Sequence, residues 1–343
     1  MTNQQSPFVS VIVITFNRAT ILKACLESLN DQTYPKDRYE VIVVDDCSKD
    51  NTVEVARLYG AKVISHEVNR GIPSARNTGL AAAKGEITAY IDDDAIADPA
   101  WLENLIQPFS DPEVTASGGQ TFAFKTEFIA ERYLAAGGYG NPAPLAFGKS
   151  KNPISRFMVY LKSMFTPVTI SAKPIEVQAV FGLNCAFRTS VLRAVGGYDE
   201  TLLADEDSEI STRLRQSGAH IMFVPDAIIH HRHRERLGYL IRQTYRRSQY
   251  TVGYYAKEKK TLPIFPFPLL YITLLLSLTF FSLLTAIIFA VLGPLMLYCW
   301  WPIRAIRELH IEYSLYSYIQ LALELAAILG MVKGKISIRK LKL

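Results

Sequence analysis

The sequence predicts an α/β fold, in which a mostly parallel sheet carries helices on both faces and is followed by C-terminal transmembrane or interfacial helices. Short apolar, β-branched runs alternate with segments of helical spacing over the first hundred residues. Acidic and polar residues follow several of these runs, at the strand ends where such sheets bind ligands. Residues 264–301 contain no charged side chain, whereas the first 260 residues have the composition of an ordinary soluble domain.

The strand predictions depend on residue type. Residues 8–15 and 39–44 are short runs rich in valine and isoleucine, which is typical of strands buried on both faces. Segments with apolar residues at helical spacing separate the runs, so the alternation indicates parallel strands joined by crossover helices. The predicted strands are Phe8–Thr15, Tyr39–Val44, Ala61–Ser65 and Glu86–Ile91, and the predicted helices between them are Ala19–Asn30, Asn51–Tyr59 and Arg70–Lys84.

The pattern of apolar residues is less regular between residues 110 and 180. After it, the pattern predicts a strand at Val177–Phe187, a helix at Glu206–Ser217 and short strands at Ile221–Val224 and Ala227–His230. These elements complete one domain over residues 1–235, divided into 1–110 and 111–235. A basic segment, 236–262, and a membrane region with a basic tail, 263–343, follow it.

The net charge of +5 arises from a basic segment late in the chain. Residues 230–260 contain nine lysines and arginines but only two glutamates. Such a segment suits nucleic acid, phosphates or an anionic membrane, and its position directly before the apolar block favours the membrane over nucleic acid. The four cysteines form no C-x-x-C pair, which argues against a zinc module and fits a reducing cytoplasm.

The apolar block predicts membrane helices. Leu269–Leu292 is long enough to cross a bilayer, Gly293-Pro294 is expected to break or kink it, and Trp300-Trp301 suits an interface. A second apolar stretch, Tyr313–Val332, contains Glu324 and is the weaker candidate. Basic residues both before the block and in the tail favour two crossings, with the first domain and the tail on the cytoplasmic side of the cell membrane.

Asp92-Asp93-Asp94 is the sharpest local signal for chemistry. Adjacent carboxylates repel one another, and their burial is costly unless a cation is present. In an extended segment Asp92 and Asp94 project to the same side, where they can share Mn²⁺ or Mg²⁺ and so hold a diphosphate. The alternative is a solvated acidic turn.

Further polar clusters have both a structural and a functional interpretation. Asp46 can accept a hydrogen bond from a base or a ribose, whereas its neighbours can cap a helix. Glu206 and Asp207 can stabilise a helix N-terminus, or one of them can serve as a general base. His231 lies in a histidine-rich run that suits metal, phosphate or a basic membrane surface. Arg246 and Arg247, just after Gln243, could clamp a diphosphate or contact lipid headgroups.

Taken together, these segments resemble glycosyltransferase family 2, the inverting nucleotide-diphospho-sugar transferases with a GT-A fold. The ordered set covers residues 8 to about 235. It consists of residues 9–17, residues 39–48, Asn69-Arg-Gly-Ile-Pro-Ser-Ala-Arg-Asn-Thr-Gly79, Ala89-Tyr-Ile-Asp-Asp-Asp94, Phe181-Gly-Leu-Asn-Cys-Ala-Phe-Arg188, Gly196-Gly-Tyr-Asp199 and Glu206-Asp207.

The resemblance implies a role for each matching residue. It makes 1–110 the nucleotide-binding half and 111–235 the acceptor-binding half of a catalytic domain. The implied donor-binding residues are Thr15, Asn17, Asp46, Arg76, Asp92 and Asp93; the metal ligands are Asp94 and His231; the base is Asp207; and the acceptor-side or diphosphate candidates are Asn184, Glu206, Gln243, Arg246 and Arg247. Residues 243–247 match a Q-x-x-R-W element without its tryptophan, which puts processive synthesis in doubt.

The implied reaction is a single displacement that inverts the anomeric centre. A UDP- or GDP-linked sugar is the expected donor, and a lipid-linked or envelope-glycan hydroxyl is the expected acceptor. A sugar-phosphate nucleotidyltransferase is the first alternative, but Thr15-Phe-Asn-Arg18 lacks the glycine-rich loop that holds a triphosphate. A non-catalytic membrane protein that binds nucleotide sugars is the second alternative.

Overall fold

The computed structural model describes residues 6–138, 152–165, 173–233 and 235–341. These residues form two compact units. The first unit takes in residues 6–126, 134–138 and 173–233, and the second takes in 127–133, 152–165 and 235–341.

The described residues contain nine strands and thirteen α-helices. The strands are β1 (Val9–Thr15), β2 (Tyr39–Asp45), β3 (Lys62–Ser65), β4 (Ile87–Asp92), β5 (Ala95–Ala97), β6 (Val114–Ala123), β7 (Ile175–Glu176), β8 (Asn184–Arg188) and β9 (His220–His231). The helices are α1 (Ala19–Asn30), α2 (Thr52–Leu58), α3 (Ile72–Ala82), α4 (Trp101–Ile106), α5 (Ile129–Ala136), α6 (Pro153–Phe165), α7 (Thr189–Ala194), α8 (Glu206–Gln216), α9 (Leu237–Lys257), α10 (Pro266–Phe281), α11 (Leu283–Leu297), α12 (Trp300–Glu308) and α13 (Tyr316–Leu341).

The sheet of the first unit is covered by helices on both faces, because alternate residues of its central strands point in opposite directions. Val11 and Val13 of β1 pack in a core with α1, whereas Ile12 packs in a second core with α3. β1 pairs in parallel with β2 and β4, and β2 pairs in parallel with β3. The predicted α/β class and the helices on both faces are confirmed.

The sheet continues in the order β3-β2-β1-β4-β8-β6-β9-β5, with β7 on β9. Antiparallel pairing begins at β4 and β8. The single strand predicted at Val177–Phe187 is wrong, since only β8 forms and residues 177–183 lead into it. The two short strands predicted near residue 225 are one strand, β9, whose register with β6 shifts between Gly119 and Gln120. This irregularity explains the interrupted apolar pattern.

The second unit is built on the close packing of α9 and α13. Gly330 and Gly334, one helical turn apart on α13, face the α9 backbone. A methyl group at Gly330 would lie 2.2 Å from the carbonyl oxygen of Tyr245, and one at Gly334 would lie 2.2 Å from that of Gln249. The two glycines therefore permit an approach that a larger side chain would prevent.

Gly330→Ala is expected to destabilise the protein by about 1–3 kcal/mol, because overpacking outweighs the better helix propensity of alanine. Gly253→Ala is the matched control, since no atom lies within 4 Å of the added methyl group on α9. That change should be neutral or should stabilise by about 0.5–1 kcal/mol. Chemical unfolding of both variants measures the difference, and equal stabilities would contradict the close packing.

The membrane helices differ from the prediction. Leu269–Leu292 is not one helix, because α10 ends at Phe281 and α11 begins at Leu283. Gly293-Pro294 does not break the helix, since α11 continues to Leu297 with Pro294 inside it, and the expected kink stays a prediction. Among the described residues, Ile311–Ser337 is long and apolar enough to cross a membrane, and α11 with α12 qualifies only as a pair bent by 68°. Crossing number and membrane side stay predictions.

Candidate active site

The loop after β1 is tied to the loop after β2. Asn17 has a left-handed backbone, with φ of 52°, and its backbone N–H donates to the Ser48 hydroxyl at 2.7 Å. Its side-chain oxygen accepts from the backbone N–H of Lys49 at 2.7 Å. Thr15 is buried at the end of β1. These two predicted donor-binding residues therefore lie on one well-connected edge of the sheet.

Asp46 organises the loop that leads into α3. Its carboxylate accepts from the backbone N–H groups of Arg70 and Gly71, each at 2.8 Å, and contacts His66 Nδ1 at 2.7 Å. The other ring nitrogen of His66 lies 2.9 Å from the hydroxyl of Thr78. Asp46 is buried, so its carboxylate shapes the loop around the predicted nucleotide pocket. Direct contact with a nucleotide stays a prediction.

Two aspartates of the triplet meet His231. His231 Nε2 lies 3.0 Å from Asp94 Oδ1 and 3.9 Å from Asp92 Oδ2. The contact is built by β5, which follows the triplet and pairs Ala95 with His231 on β9. One ligand atom from each of Asp92, Asp94 and His231 lies within 4.8 Å of the others.

Asp93 has a different role from its neighbours. Its carboxylate is buried and contacts Arg18 Nη1 at 2.8 Å, while the same nitrogen contacts Asp94 Oδ2 at 2.7 Å. Burial and the Asp94 carboxylate raise the pKa of Asp92 to about 7. Burial also opposes ionisation of Asp94, but His231 and Arg18 lower its pKa to about 2. Asp94 is therefore ionised at neutral pH.

The residues fit a divalent cation. Two carboxylates suit Mg²⁺ or Mn²⁺, and an imidazole in the same set favours a transition ion such as Mn²⁺. Arg18 contacts Oδ2 of Asp94 and fixes the carboxylate. Oδ1 is therefore left to His231 and to the cation. The geometry groups Asp92 with the two residues predicted as ligands, Asp94 and His231, and holds Asp93 apart from them.

Asp207 is held by a buried arginine. Arg76 Nη1 lies 2.6 Å from Asp207 Oδ1 and 3.1 Å from Glu206 Oε1, and its guanidinium packs over the ring of Tyr198 at 4.9 Å. Asp205, directly before them, has a left-handed φ of 62°. Non-glycine residues adopt this backbone at a cost and are enriched at functional sites. The side chain of Arg76 binds the predicted base, and its place beside the nucleotide stays a prediction.

Arg76→Met is expected to destabilise the protein by about 3–5 kcal/mol, because two largely buried carboxylates lose their cation. Arg70→Met is the matched control. Arg70 pairs with Glu200 at 3.2 Å, but both side chains are more than 40% exposed, so the expected cost is about 0–1 kcal/mol. Denaturant unfolding monitored by circular dichroism compares the variants. Equal losses would show that the buried pairing does not stabilise this site.

The remaining candidates lie in two different places. Asn184 is buried, and its amide accepts from Trp101 Nε1 at 2.8 Å and donates to the carbonyls of Gln120 and Ala227. The amide thus joins β6, β8 and β9, and its role as an acceptor-side or diphosphate contact stays a prediction. The three candidates from the basic segment belong to α9 in the second unit: Gln243, Arg246 and Arg247.

Sequence reasoning missed two residues of this edge. Arg18 follows Asn17, and its position one residue before α1 could have suggested a side chain directed at the next strand end. His66 follows β3, where polar residues meet those that follow β2. Both residues lie after strands, so the rule that selected Asp46 and Asp94 would also have found them.

Comparison with known proteins agrees with this fold. The model of the family described as glycosyl transferase family 2 matches residues 10–195, just over half of the chain, and that of glycosyl transferase family 21 matches residues 154–321. A mannosyltransferase from Pyrobaculum calidifontis, solved with GDP-Man and Mn²⁺, superposes with a TM-score of 0.62 at 22% identity, covering 96% of this chain and 88% of that one. This likeness confirms the predicted GT-A fold.

Three curated relatives are similar over about two thirds of this chain. Glycosyltransferase AglE of Haloferax volcanii is 28% identical, the pre-mycofactocin glycosyltransferase of Mycobacterium tuberculosis 29%, and the glucosyl-dolichyl phosphate glucuronosyltransferase of Haloferax volcanii 26%. The alignments cover 65%, 67% and 65% of this chain and 66%, 43% and 69% of the relatives. The match with this chain therefore covers about two thirds or less of the length of the first two relatives. By the match over residues 10–195, the chain belongs to glycosyl transferase family 2.

Proposed function

We propose that the protein is an inverting glycosyltransferase that moves a sugar from a nucleotide-diphosphate donor to an acceptor hydroxyl and depends on a divalent cation. The observation that carries the proposal is the three-residue ligand set of Asp92, Asp94 and His231 at the carboxyl ends of the strands. The carboxylate of Asp207, which is held by the buried Arg76, belongs to the same unit. Family membership supports the transferase class.

The donor is proposed to bind at the edge formed by the loops after β1, β2 and β4. Two solved neighbours support a GDP- or UDP-linked sugar. The first is the mannosyltransferase with GDP-Man and Mn²⁺, and the second is GalNAc-T7 with UDP, GalNAc and Mn²⁺, at a TM-score of 0.52. Asp92, Asp94 and His231 would hold Mn²⁺ or Mg²⁺. When bound, such an ion neutralises the charge that develops on a departing diphosphate.

The acceptor proton is proposed to move to Asp207. Arg76 fixes the orientation of this carboxylate with a contact of 2.6 Å, and the charge of Arg76 also acts on Asp92. As Asp207 takes the proton, the acceptor hydroxyl attacks the anomeric carbon and the bond to the nucleotide diphosphate breaks. A single displacement of this kind inverts the anomeric configuration.

The acceptor is proposed to be lipid-linked or part of an envelope glycan, used at the cytoplasmic face of the cell membrane. The basic segment before the apolar helices supports an anionic membrane surface as partner. The relative named as acting on a glucosyl-dolichyl phosphate supports a lipid-linked substrate. Nucleic acid is not a proposed partner.

A donor screen tests the proposal. A nucleotide sugar present at about 100 times its Kd should stabilise the fold by about 2.7 kcal/mol, so a panel of UDP- and GDP-linked sugars is measured by thermal shift with Mn²⁺ and with EDTA. Slow donor hydrolysis stimulated by Mn²⁺ would support an enzyme. Binding without any turnover or hydrolysis would favour the non-catalytic alternative. Conversion of the donor and pyrophosphate into a nucleoside triphosphate and a sugar phosphate would favour the nucleotidyltransferase.

A further inference from the structure

Helices α10 and α11 of the second unit form an antiparallel hairpin that turns at Ser282. The Tyr271 hydroxyl on α10 donates to the carbonyl of Ala290 on α11 at 3.1 Å. The ring of Tyr271 also stacks on that of Phe289, with centroids 5.6 Å apart. These partners lie at similar distances along the chain from the turn. The start of α10 and the end of α11 are therefore at the same end of the hairpin.

Each helix of the hairpin is shorter than a usual membrane-spanning helix. α10 has 16 residues and α11 has 15, which at 1.5 Å per residue gives lengths of about 24 and 22 Å. The hydrocarbon core is about 30 Å thick, and a helix needs about 20 apolar residues to cross it. A hairpin of this length reaches past the midplane and ends inside the core.

Ser282 at the turn has its own polar groups paired within the chain, which suits an apolar medium. The backbone N–H of Ser282 donates to the carbonyl of Leu278 at 2.8 Å, and its carbonyl accepts from Ala286 at 3.0 Å. The Ser282 hydroxyl accepts from the backbone N–H of Thr285 at 3.3 Å. Unsatisfied backbone groups are costly in hydrocarbon, so the pairing at Ser282 favours burial of this residue in lipid.

The side chains around the turn are apolar and exposed. Phe280 and Phe281 are 87% and 82% exposed, and Leu283 and Leu284 follow directly after Ser282 with exposures of 67% and 69%. Turns that face water normally carry glycine, asparagine, aspartate or proline. Four large apolar side chains at the tip of a hairpin therefore indicate lipid as the surrounding medium.

The other end of the hairpin has the residues of a membrane interface. α12 is bent by 68° from α11, so it lies nearly across the hairpin direction. It begins with Trp300 and Trp301, and Arg304 packs over the rings of Trp301 and Tyr313 at 5.7 and 4.9 Å. Its exposed apolar residues include Ile306. Aromatic rings with arginines beside an apolar face are typical of a helix at an anionic membrane surface.

The packing of α13 argues against a crossing by this helix, although it is long and apolar enough for one. Its C-terminal half packs on α9 through Gly330 and Gly334. α9 contains Arg242, Arg246, Arg247 and Lys257. A membrane-spanning α13 would take this charged helix into the hydrocarbon with it, where charged side chains are costly.

We propose that α10–α11 is a re-entrant hairpin that enters the bilayer from one surface and returns to the same surface, with α12 along that surface. The partner is a lipid bilayer with anionic headgroups, whose acyl chains contact residues 280–284. This inference rests on the membrane attachment proposed above and replaces the expected two crossings by none for the described residues. It concerns anchoring alone and is independent of the transfer chemistry.

Cysteine labelling in sealed vesicles tests the proposal. Phe281→Cys and Leu284→Cys place a thiol at the tip, and Leu309→Cys, at a residue 90% exposed after α12, is the matched control. All three are made in the full chain with Cys47→Ser and Cys299→Ser, since Cys25 and Cys185 are buried. Membrane-impermeant maleimide is applied to vesicles of both orientations. Tip thiols should react at least about tenfold more slowly than the control from either side, because hydrocarbon disfavours the reactive thiolate. They should react fully in detergent.

Two results would overturn the proposal. Reaction of the tip thiols from the side opposite to Leu309→Cys would show a crossing hairpin, and fast reaction from the same side would show a tip in water. As a second measurement, a Phe281→Trp variant should be quenched most by lipids brominated near the chain ends; strongest quenching at the headgroups would also overturn it. Neither experiment uses donor or acceptor, so its failure is distinguishable from failure of the proposed transferase activity.

Discussion

Asp207→Asn is expected to lower sugar transfer by about 10²–10⁴-fold, the range attributed to general-base catalysis. Donor binding should stay close to that of the unchanged protein, because asparagine keeps the size of the side chain and Asp207 is not in the cation ligand set. The initial rate of transfer and the donor Kd are measured on the same preparation. A rate loss without a change in Kd identifies a group that acts in the chemical step.

Glu206→Gln is the matched control for this prediction. Glu206 contacts the same nitrogen of Arg76 as Asp207 does, so both variants leave Arg76 with one carboxylate fewer. Any loss caused only by the altered ion pair should therefore appear in both. If Glu206→Gln were inactive and Asp207→Asn retained most of the transfer rate, the base would be Glu206.

Asp94→Ala is expected to remove the effect of Mn²⁺ on donor binding. Replacement of residues that merely support metal ligands costs 10–100-fold in metal affinity, so loss of a ligand should cost at least about 100-fold. Asp94 has the carboxylate that both His231 and Arg18 contact, so its removal also frees the imidazole. Calorimetric titration of the donor with Mn²⁺, and again with EDTA, measures the metal-dependent part of the affinity.

Asp98→Ala controls for the loss of one negative charge near the site. Asp98 lies four residues after Asp94 and pairs with His230 at 3.1 Å, outside the ligand set of the described residues. Its replacement should change the Mn²⁺ effect little. The assignment of Asp94 would be refuted if its alanine variant bound donor as tightly with Mn²⁺ as the unchanged protein.

The first four strands could be predicted because each is a short run of mostly apolar, β-branched residues that is followed by polar residues. Those runs needed only local composition, and β1 and β4 lie within one residue of the predicted strands. The later strands depend on distant pairing. β8 is short and enters the sheet antiparallel to β4, and β9 changes register against β6, so residues 177–187 and 221–230 carried no pattern that fixed their ends.

The candidate site was predicted in part for the same reason. Asp92 and Asp94 could be paired from strand alternation, but their contact with His231 requires β5 to pair with β9. The ion pairs of Arg18 with Asp93 and of Arg76 with Asp207 join residues far apart in sequence, and local spacing does not encode such contacts. Side chains at strand ends were therefore identified more readily than their partners.

The pairing of β5 with β9 has a consequence for biosynthesis. A nascent chain exposes the carboxylates of Asp92 and Asp94 well before His231 has been made, and at 5–20 residues per second the delay is on the order of ten seconds. During that interval the emerging polypeptide has an incomplete cation site and should retain ions only weakly. Tight loading with Mn²⁺ would then report that translation has passed β9 and that the last strand has joined the sheet.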